Sequence, residues 1–323
     1  MKGFKILFLF GMILTLILVT ACSKGNEGAS GDERQNLSLL TGGTGGTYYP
    51  LGGQIGNVIT DNTNANITPQ TSGASAENME TLRAGEAELA FSQTDIAAYA
   101  VEAKEMFKGN PIDNIQAISS LYPETVQLVT TTKSKIKSVE DLKGNKVSVG
   151  APGSGAYINA MQILAIHGLS KKDIKAQNLS FDESTDGIQA GNIDAAFITA
   201  GTPTGAVEAL SVQNEIIVLP IADEKIKELV EKYPYYAEDT IPSGTYKIKS
   251  DVKTVAVKAM LVVREDVDED LVYKMTKAMY ENTDKITHAK GKLITAETAL
   301  EGLGKMELHP GAAKYFKEKG ITR

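Results

Sequence analysis

The strongest constraint in this 323-residue chain is a short segment that occurs twice in register. Arg83-Ala84-Gly85-Glu86-Ala87-Glu88-Leu89-Ala90-Phe91 returns as Gln189-Ala190-Gly191-Asn192-Ile193-Asp194-Ala195-Ala196-Phe197. Both copies keep Ala-Gly, an acid at the third place after the glycine, and Ala-Phe. Each also follows a glycine turn at a similar distance, Gly45 to Gly85 spanning 40 residues and Gly153 to Gly191 spanning 38. Around each copy the order is strand, glycine turn, helix, a later helix, Ala-Gly, and a strand ending in polar loop residues. Strands alternating with helices through short turns predict parallel α/β sheets. The doubled order predicts two similar lobes. Lobes that present glycine turns and helix N-termini at the C-terminal ends of their strands hold a ligand between them.

The first of these turns lies in Leu37–Pro50, LSLLTGGTGGTYYP. Leu37–Leu40 predicts a short buried strand. A helix begins around Tyr48–Pro50, with Leu51, Ile55, Val58 and Ile59 on one face. Glycines let the backbone approach a ligand, free N–H groups point at it, and the helix dipole favours negative charge. The stretch therefore predicts a site for a small anionic group. Two nucleotide readings fail. GxxxxGK[ST] needs a lysine that this stretch lacks, and GxGxxG begun at Gly43 meets Tyr48 where its third glycine belongs.

Further along, Ile67–Thr71 predicts a strand leading into Ser72-Gly73-Ala74-Ser75, with Ser75 as N-cap of a helix over residues 76–84. Glu88–Phe91 predicts a strand opening into Ser92-Gln93, and Thr94 or Asp95 caps the next helix. Two strands, Ile115–Leu121 and Val126–Thr131, are expected on either side of Tyr122-Pro123-Glu124, and the chain crosses between lobes near Tyr122–Thr131. It returns along Thr254–Arg264. In the second half, Ser138–Asp141 predicts a capping-box helix start and Lys146–Val149 a strand. The turn Gly150–Gly155 then leads into a helix that stops at Gly168. Leu271, Met275, Met279 and Ile286 share one face of a later helix, and Pro310–Gly320 forms the last. Both are expected against the first lobe.

At the N-terminus, Lys2 and Lys5 precede an apolar run from Ile6 to Val19, which predicts a signal peptide over residues 1–21. Val19-Thr20-Ala21-Cys22 resembles the bacterial lipobox, which implies a diacylglycerol on Cys22. Cys22 is the only cysteine, so no disulfide forms within the chain. Residues 22–36 are then a lipidated N-terminus and flexible tether. Residues 37–125 with 255–323 form lobe I, and 126–254 form lobe II. Removing Lys2 and Lys5 takes the formal charge from −7 to −9, which argues against nucleic acid as a partner. An anionic solute must be held by local donors rather than by the overall field.

The candidate ligand-binding residues of the first lobe are Thr44, Gly45, Gly46, Thr47 and Tyr48, then Ser72, Gly73, Ser75 and Asn78, then Ser92 and Gln93. Gly153, Ser154 and Gly155 mirror the first turn in the second lobe, and Thr199, Gly201, Thr202 and Pro203 mirror Ser92-Gln93. Tyr122 is placed at the hinge. Of the four arginines Arg34, Arg83, Arg264 and Arg323, none suits a carboxylate clamp, so backbone N–H groups, hydroxyls and helix dipoles must hold the anion. Three histidines and one cysteine leave little material for a metal site, and no metal or cofactor is expected. An enzyme is also disfavoured. GxSxG around Ser154 would need glycine where Pro152 stands, and no Ser/His/acid order emerges.

Taken together, several segments are similar to the extracytoplasmic solute receptors of the TAXI type, which serve tripartite (TRAP-type) secondary transporters. They are Thr41–Pro50, Ala90–Asp95, Ser120–Glu124, Asp141–Gly144 with Val147–Gly155, Lys232–Tyr236 with Ile241–Tyr246, and Leu308–Gly311. They cover essentially the whole mature chain, and TGGTGGTYYP with SVGAPGSG is the most specific pair. The resemblance implies a type II periplasmic-binding-protein fold, two α/β lobes joined by a two-strand hinge. It also implies closure over one small carboxylate or amino-acid solute, with glutamate the best precedent, and delivery to TRAP-type membrane permease subunits. The expected protein is an extracytoplasmic, lipid-anchored monomer that binds and releases rather than catalyses. A receptor of the same fold for an ABC transporter or a sensor kinase is the alternative.

Overall fold

One continuous sheet runs through both halves of the chain. The structure, a computed structural model, describes residues 34–322. The expected signal peptide, Cys22 and most of the tether lie outside the described residues. The strands are β1 (Gln35–Leu40), β2 (Ala65–Gln70), β3 (Leu89–Gln93), β4 (Ile115–Thr131), β5 (Lys146–Ser148), β6 (Lys175–Gln177), β7 (Ala195–Ala200), β8 (Ile216–Leu219), β9 (Ala237–Ile241) and β10 (Val252–Arg264). The helices are α1 (Tyr48–Asn62), α2 (Ser75–Arg83), α3 (Thr94–Val101), α4 (Gly155–Ile166), α5 (Phe181–Gln189), α6 (Gly205–Gln213), α7 (Asp223–Lys232), α8 (Glu269–Glu281) and α9 (Pro310–Glu318). No helix among the described residues is long and apolar enough to cross a membrane.

The repeat is visible in the strand order β2-β1-β3-β10-β4-β7-β5-β6. Read from either end it gives three parallel strands, β2-β1-β3 or β6-β5-β7, followed by a long antiparallel one, β10 or β4. β4 and β10 pair with each other and carry the chain from one half to the other. The buried apolar residues follow the same division. Two clusters draw on residues up to Tyr122 and from Ala259 onward, with Ile158 the one outlier, and two draw on Val126–Val257. The molecule is thus two α/β lobes joined by two strands.

The physical content of the repeated segment is a pair of matching joints. Gly85 (φ +76°) and Gly191 (φ +74°) end α2 and α5 in the left-handed conformation that glycine tolerates. Gly85 N–H donates to Leu82 O and Gly191 N–H to Ile188 O. The acid three places on does the same work in each lobe. Glu88 Oε2 accepts from Ser38 N at 2.8 Å, and Asp194 Oδ2 from Lys146 N at 2.7 Å, tying each approach to the first strand of its own lobe.

Five expectations need correction. Thr94 and Asp95 are the first two residues of α3 rather than its cap, which is Gln93 without a side-chain capping bond. The two strands predicted around Tyr122-Pro123-Glu124 are one 17-residue strand, β4. Pro123 lacks an N–H, and it is accommodated where the β4–β10 register shifts beside Lys258. Ser75 is the first residue of α2 rather than its N-cap. That position belongs to Ala74 at φ +75°, and Ser72 Oγ accepts from the Ala74 N–H. Ser138–Asp141 leads only into the short turn of 3₁₀-helix Glu140–Leu142, because Asp141 Oδ2 accepts from the Lys137 and Ser138 N–H groups ahead of it. Finally, α8 stops at Glu281, so Ile286 lies beyond it.

α8 and α9 cover the first lobe, and their contact tolerates no side chain at Gly311. A Cβ there would sit 2.6 Å from Tyr273 N and against Glu269 O, both backbone atoms of α8. Gly311→Ala should therefore lower stability by about 1–3 kcal/mol through overpacking. Urea denaturation reads this directly, and an unchanged midpoint would mean that the two helices separate at no cost.

Candidate functional site

Four helices begin at one place, two from each lobe. α1 and α2 of the first lobe and α4 and α5 of the second have their N-terminal residues around a cavity of about 40 Å³. Thr47 and Tyr48 bring the start of α1, and Ala74 and Ser75 the start of α2. Gly155 and Ala156 bring the start of α4, and Phe181 the start of α5. α1 has no acid in its first turn and no side-chain cap, so its positive end is uncompensated within the helix. Ser154 caps α4 by accepting from Tyr157 N at 3.1 Å, and α4 also lacks an early acid. α2 and α5 carry acids in their first turns, Glu77 and Asp182 with Glu183, so α1 and α4 are the two ends, one from each lobe, that favour a negatively charged group.

The opposite wall carries acceptors. Glu124, on the β4 strand, lines the cavity at 2% exposure and accepts from Tyr48 Oη at 2.7 Å. Burial pushes its carboxyl up to about 8. The Tyr48 and Gln93 side chains and the charge of Lys290 pull it down, and the charge of Asp95 pushes it further up. Tyr48 stacks on Phe91 with ring centroids 4.8 Å apart, which holds its hydroxyl on Glu124. Gln93 Oε1 and Thr199 Oγ1 are buried and have no hydrogen-bond partner.

The lobes touch directly around this cavity. Gly153 O accepts from Ala76 N at 2.9 Å and Glu77 N at 3.1 Å, and Gly45 O accepts from Ala206 N at 3.1 Å. Thr44 Oγ1 donates to Asp182 Oδ2 at 3.0 Å and Thr47 Oγ1 to Gly201 O at 3.3 Å. The arrangement is a cleft drawn shut.

Of the residues named from sequence, Gly46, Thr47, Tyr48, Ser75, Gln93, Ser154, Gly155 and Thr199 line the cavity. Thr44, Gly45, Gly153 and Gly201 make the contacts between lobes. Gly73 stands beside Pro152 of the other lobe, and Pro203 follows a cis peptide bond in the β7–α6 loop. Ser72, Asn78, Ser92 and Tyr122 do not line it. Asn78 is fully buried and donates to Thr41 O and Phe91 O, and Ser72 Oγ bonds Thr41 O and Asn78. Ser92 and Tyr122 are buried in the first lobe. Sequence reasoning missed Glu124 and Phe181. Glu124 carried a signal, being the only charge in the stretch Ile115–Thr131. Among the described residues, no group of three His, Cys, Asp or Glu is placed to hold a metal ion.

A second buried carboxyl bridges the lobes. Asp95 on α3 is fully buried and accepts from Asn159 Nδ2 of α4 at 2.9 Å. Asn159 also donates to Tyr236 Oη, which bonds Gln162, which bonds Tyr99 Oη. Burial raises the Asp95 carboxyl to about 7, partly offset by the Asn159 bond. The closed form therefore holds a proton that a solvated Asp95 releases near pH 4. Closure is favoured at low pH, weakens as pH rises from about 4 to about 7, and levels off above that. Asp95→Asn should flatten this dependence and raise solute affinity at pH 8 by about tenfold or more. Between about pH 4, where a solvated Asp95 ionises, and about pH 7, each pH unit costs closure about 1.4 kcal/mol, a factor of ten in affinity that asparagine does not incur. Titration calorimetry at pH 5 and pH 8 checks it, and an unchanged pH slope would contradict it.

Comparison with known proteins gives a family and a fold. The sequence model of the NMT1-like family matches residues 39–320. A solved protein from Bordetella bronchiseptica superposes with a TM-score of 0.56 at 17% identity, covering 89% of this chain and 83% of that one. PhnD1 from Prochlorococcus marinus, in complex with methylphosphonate, gives 0.53 at 12% identity, covering 80% and 88%. A structure titled as a periplasmic transporter gives 0.52 at 14% identity, covering 88% and 93%. The fold is the type II periplasmic-binding-protein fold.

Proposed function

The chain belongs to the NMT1-like family, and we propose that it is an extracytoplasmic solute receptor that closes its two lobes over one small solute with an anionic head. The observation that carries this reading is the convergence of helix N-termini from both lobes on one cavity, with α1 and α4 free of acids in their first turns. Charge-assisted bonds to backbone N–H groups are worth about 1.5–3 kcal/mol each, so a few suffice without an arginine. Closure follows because contacts from both lobes exist only in the closed state, and a solute that makes them shifts the population toward it. We place lobe I at residues 37–125 with 255–323 and lobe II at 126–254.

The solute in this reading is a small carboxylate or amino acid such as glutamate. The partner is a TRAP-type permease, on the strength of TGGTGGTYYP and SVGAPGSG, and the mature chain is a monomer tethered to the cell membrane through Cys22. A second reading is a same-fold receptor for an ABC transporter or a sensor kinase that takes another small anionic solute, and methylphosphonate, bound in one solved structure of similar fold, stands for that solute class. A thermal-shift screen of glutamate, glutamine, 2-oxoglutarate, C4-dicarboxylates and methylphosphonate separates the two solute classes. Solute at about 100 times Kd adds roughly 2.7 kcal/mol of stability. A shift from a carboxylate or amino acid supports that solute class, and one from methylphosphonate alone replaces it with another small anion. No shift across the panel removes both.

A further inference from the structure

Among the side chains lining the cavity one carboxyl or base can carry a formal charge, and that charge is negative. Glu124 is the only ionisable carboxyl or base among the lining residues; Lys290, whose charge reaches Glu124, does not line the cavity. An anion with no positive group would gain from the helix N-termini and keep the Glu124 carboxyl neutral, whereas a solute that also carries a cation can pair with its ionised form. Two further residues that line the same space each hold a side-chain oxygen without a partner. Gln93 is 2% and Thr199 4% exposed, and neither Gln93 Oε1 nor Thr199 Oγ1 has a hydrogen-bond partner. Oε1 is turned to the start of α4, since a Cβ added at Gly155 would collide with it. Buried polar atoms left unbonded are costly. Three acceptors around one small cavity call for a group with several donors, and an ammonium carries three.

We propose that Glu124 is the specificity-determining residue of the cleft. It takes the ammonium of a zwitterionic α-amino acid, with Gln93 Oε1 and Thr199 Oγ1 beside it, while the helix N-termini take the carboxylate. This deepens the receptor reading and rests on it. The groups facing Glu124 fit the role. Tyr48 donates to it from α1, and Tyr122 lies next to it on β4. Asp95 on α3 adds negative potential, and Lys290 opposes it from the 3₁₀ segment Ala289–Leu293. Before solute binds, burial holds the Glu124 carboxyl at about 8. A bound ammonium favours its ionised form, so loading an amino acid near neutral pH should release a proton from Glu124 to the buffer.

The test is titration calorimetry of the wild type and Glu124→Gln with matched pairs, alanine against propionate and glutamate against glutarate, in two buffers of different ionisation enthalpy. The wild type should bind the amino acid of the accepted pair on the order of 100-fold more tightly than its deaminated partner. Glu124→Gln should lose that advantage together with the proton release, while its unliganded melting temperature stays level or rises. If Glu124→Gln fails to fold, the wild-type comparison within each pair and its proton count decide alone. A wild type that binds the deaminated acid, a dicarboxylate or methylphosphonate as tightly as any amino acid overturns the role of Glu124 and leaves the receptor reading standing. A wild type that binds nothing overturns both.

Discussion

Gly73→Ala should weaken solute binding by about 100-fold or more while leaving the unliganded melting temperature unchanged. Gly73 lies in the turn between β2 and α2, where its backbone needs no left-handed conformation, so alanine fits its own lobe. The obstacle stands across the cleft. A Cβ at this position would lie 2.6 Å from Pro152 O, a backbone carbonyl of the second lobe, and would also press on the Glu77 carboxylate. A flexible side chain such as that of Glu77 moves aside cheaply, but a carbonyl in the turn leading to α4 does not. Holding the lobes apart here also removes the bonds from Ala76 N and Glu77 N to Gly153 O. When the binding-competent state is depopulated, apparent affinity falls by the same factor, and 100-fold corresponds to about 2.7 kcal/mol. Gly53→Ala is the control. Nothing lies within 4 Å of a Cβ there on α1, so binding should not change. Wild-type affinity in Gly73→Ala would mean that the lobes do not meet at this contact when solute is bound.

The second large effect concerns the other end of the proposed role. Cys22→Ser should move the protein from the membrane fraction to the soluble fraction. The argument rests on sequence: a charged n-region, an apolar run and Val19-Thr20-Ala21-Cys22 at its end. Each buried methylene of an acyl chain contributes about 0.8 kcal/mol, and two chains anchor where one binds only marginally. With no membrane-crossing helix among the described residues, the folded lobes offer no substitute of that kind. Sedimentation of Cys22→Ser with membranes at the wild-type level would refute the lipid anchor.

The fold was legible because its determinants are local. A glycine that ends a helix and an acid that ties a strand approach leave the same trace in both lobes, and that trace predicts the symmetric strand order. Glycine turns running into helix starts, as at Gly46–Tyr48 and Ser154-Gly155, marked residues that line the cavity in both lobes. What stayed hidden depends on tertiary placement. Asn78 and Ser72 read as ligand-facing loop polars, yet the loop spends them on the backbone of Thr41 and Phe91. Phe181 reaches the cavity only because the second lobe folds over the first. Glu124 was obscured by the proline before it, which suggested a turn where the sheet instead absorbs Pro123 in a register shift. A lone charge in a strand otherwise buried nearly throughout demands a partner, and that rule would have found it.

In the proposed binding cycle the two lobes close over a solute. Small-angle scattering of the wild type, with and without the solute that most raises its melting temperature, tests this directly. The radius of gyration should fall on adding the solute and should not fall for Gly73→Ala at the same concentration. A wild-type radius that stays constant at saturating solute would contradict the account.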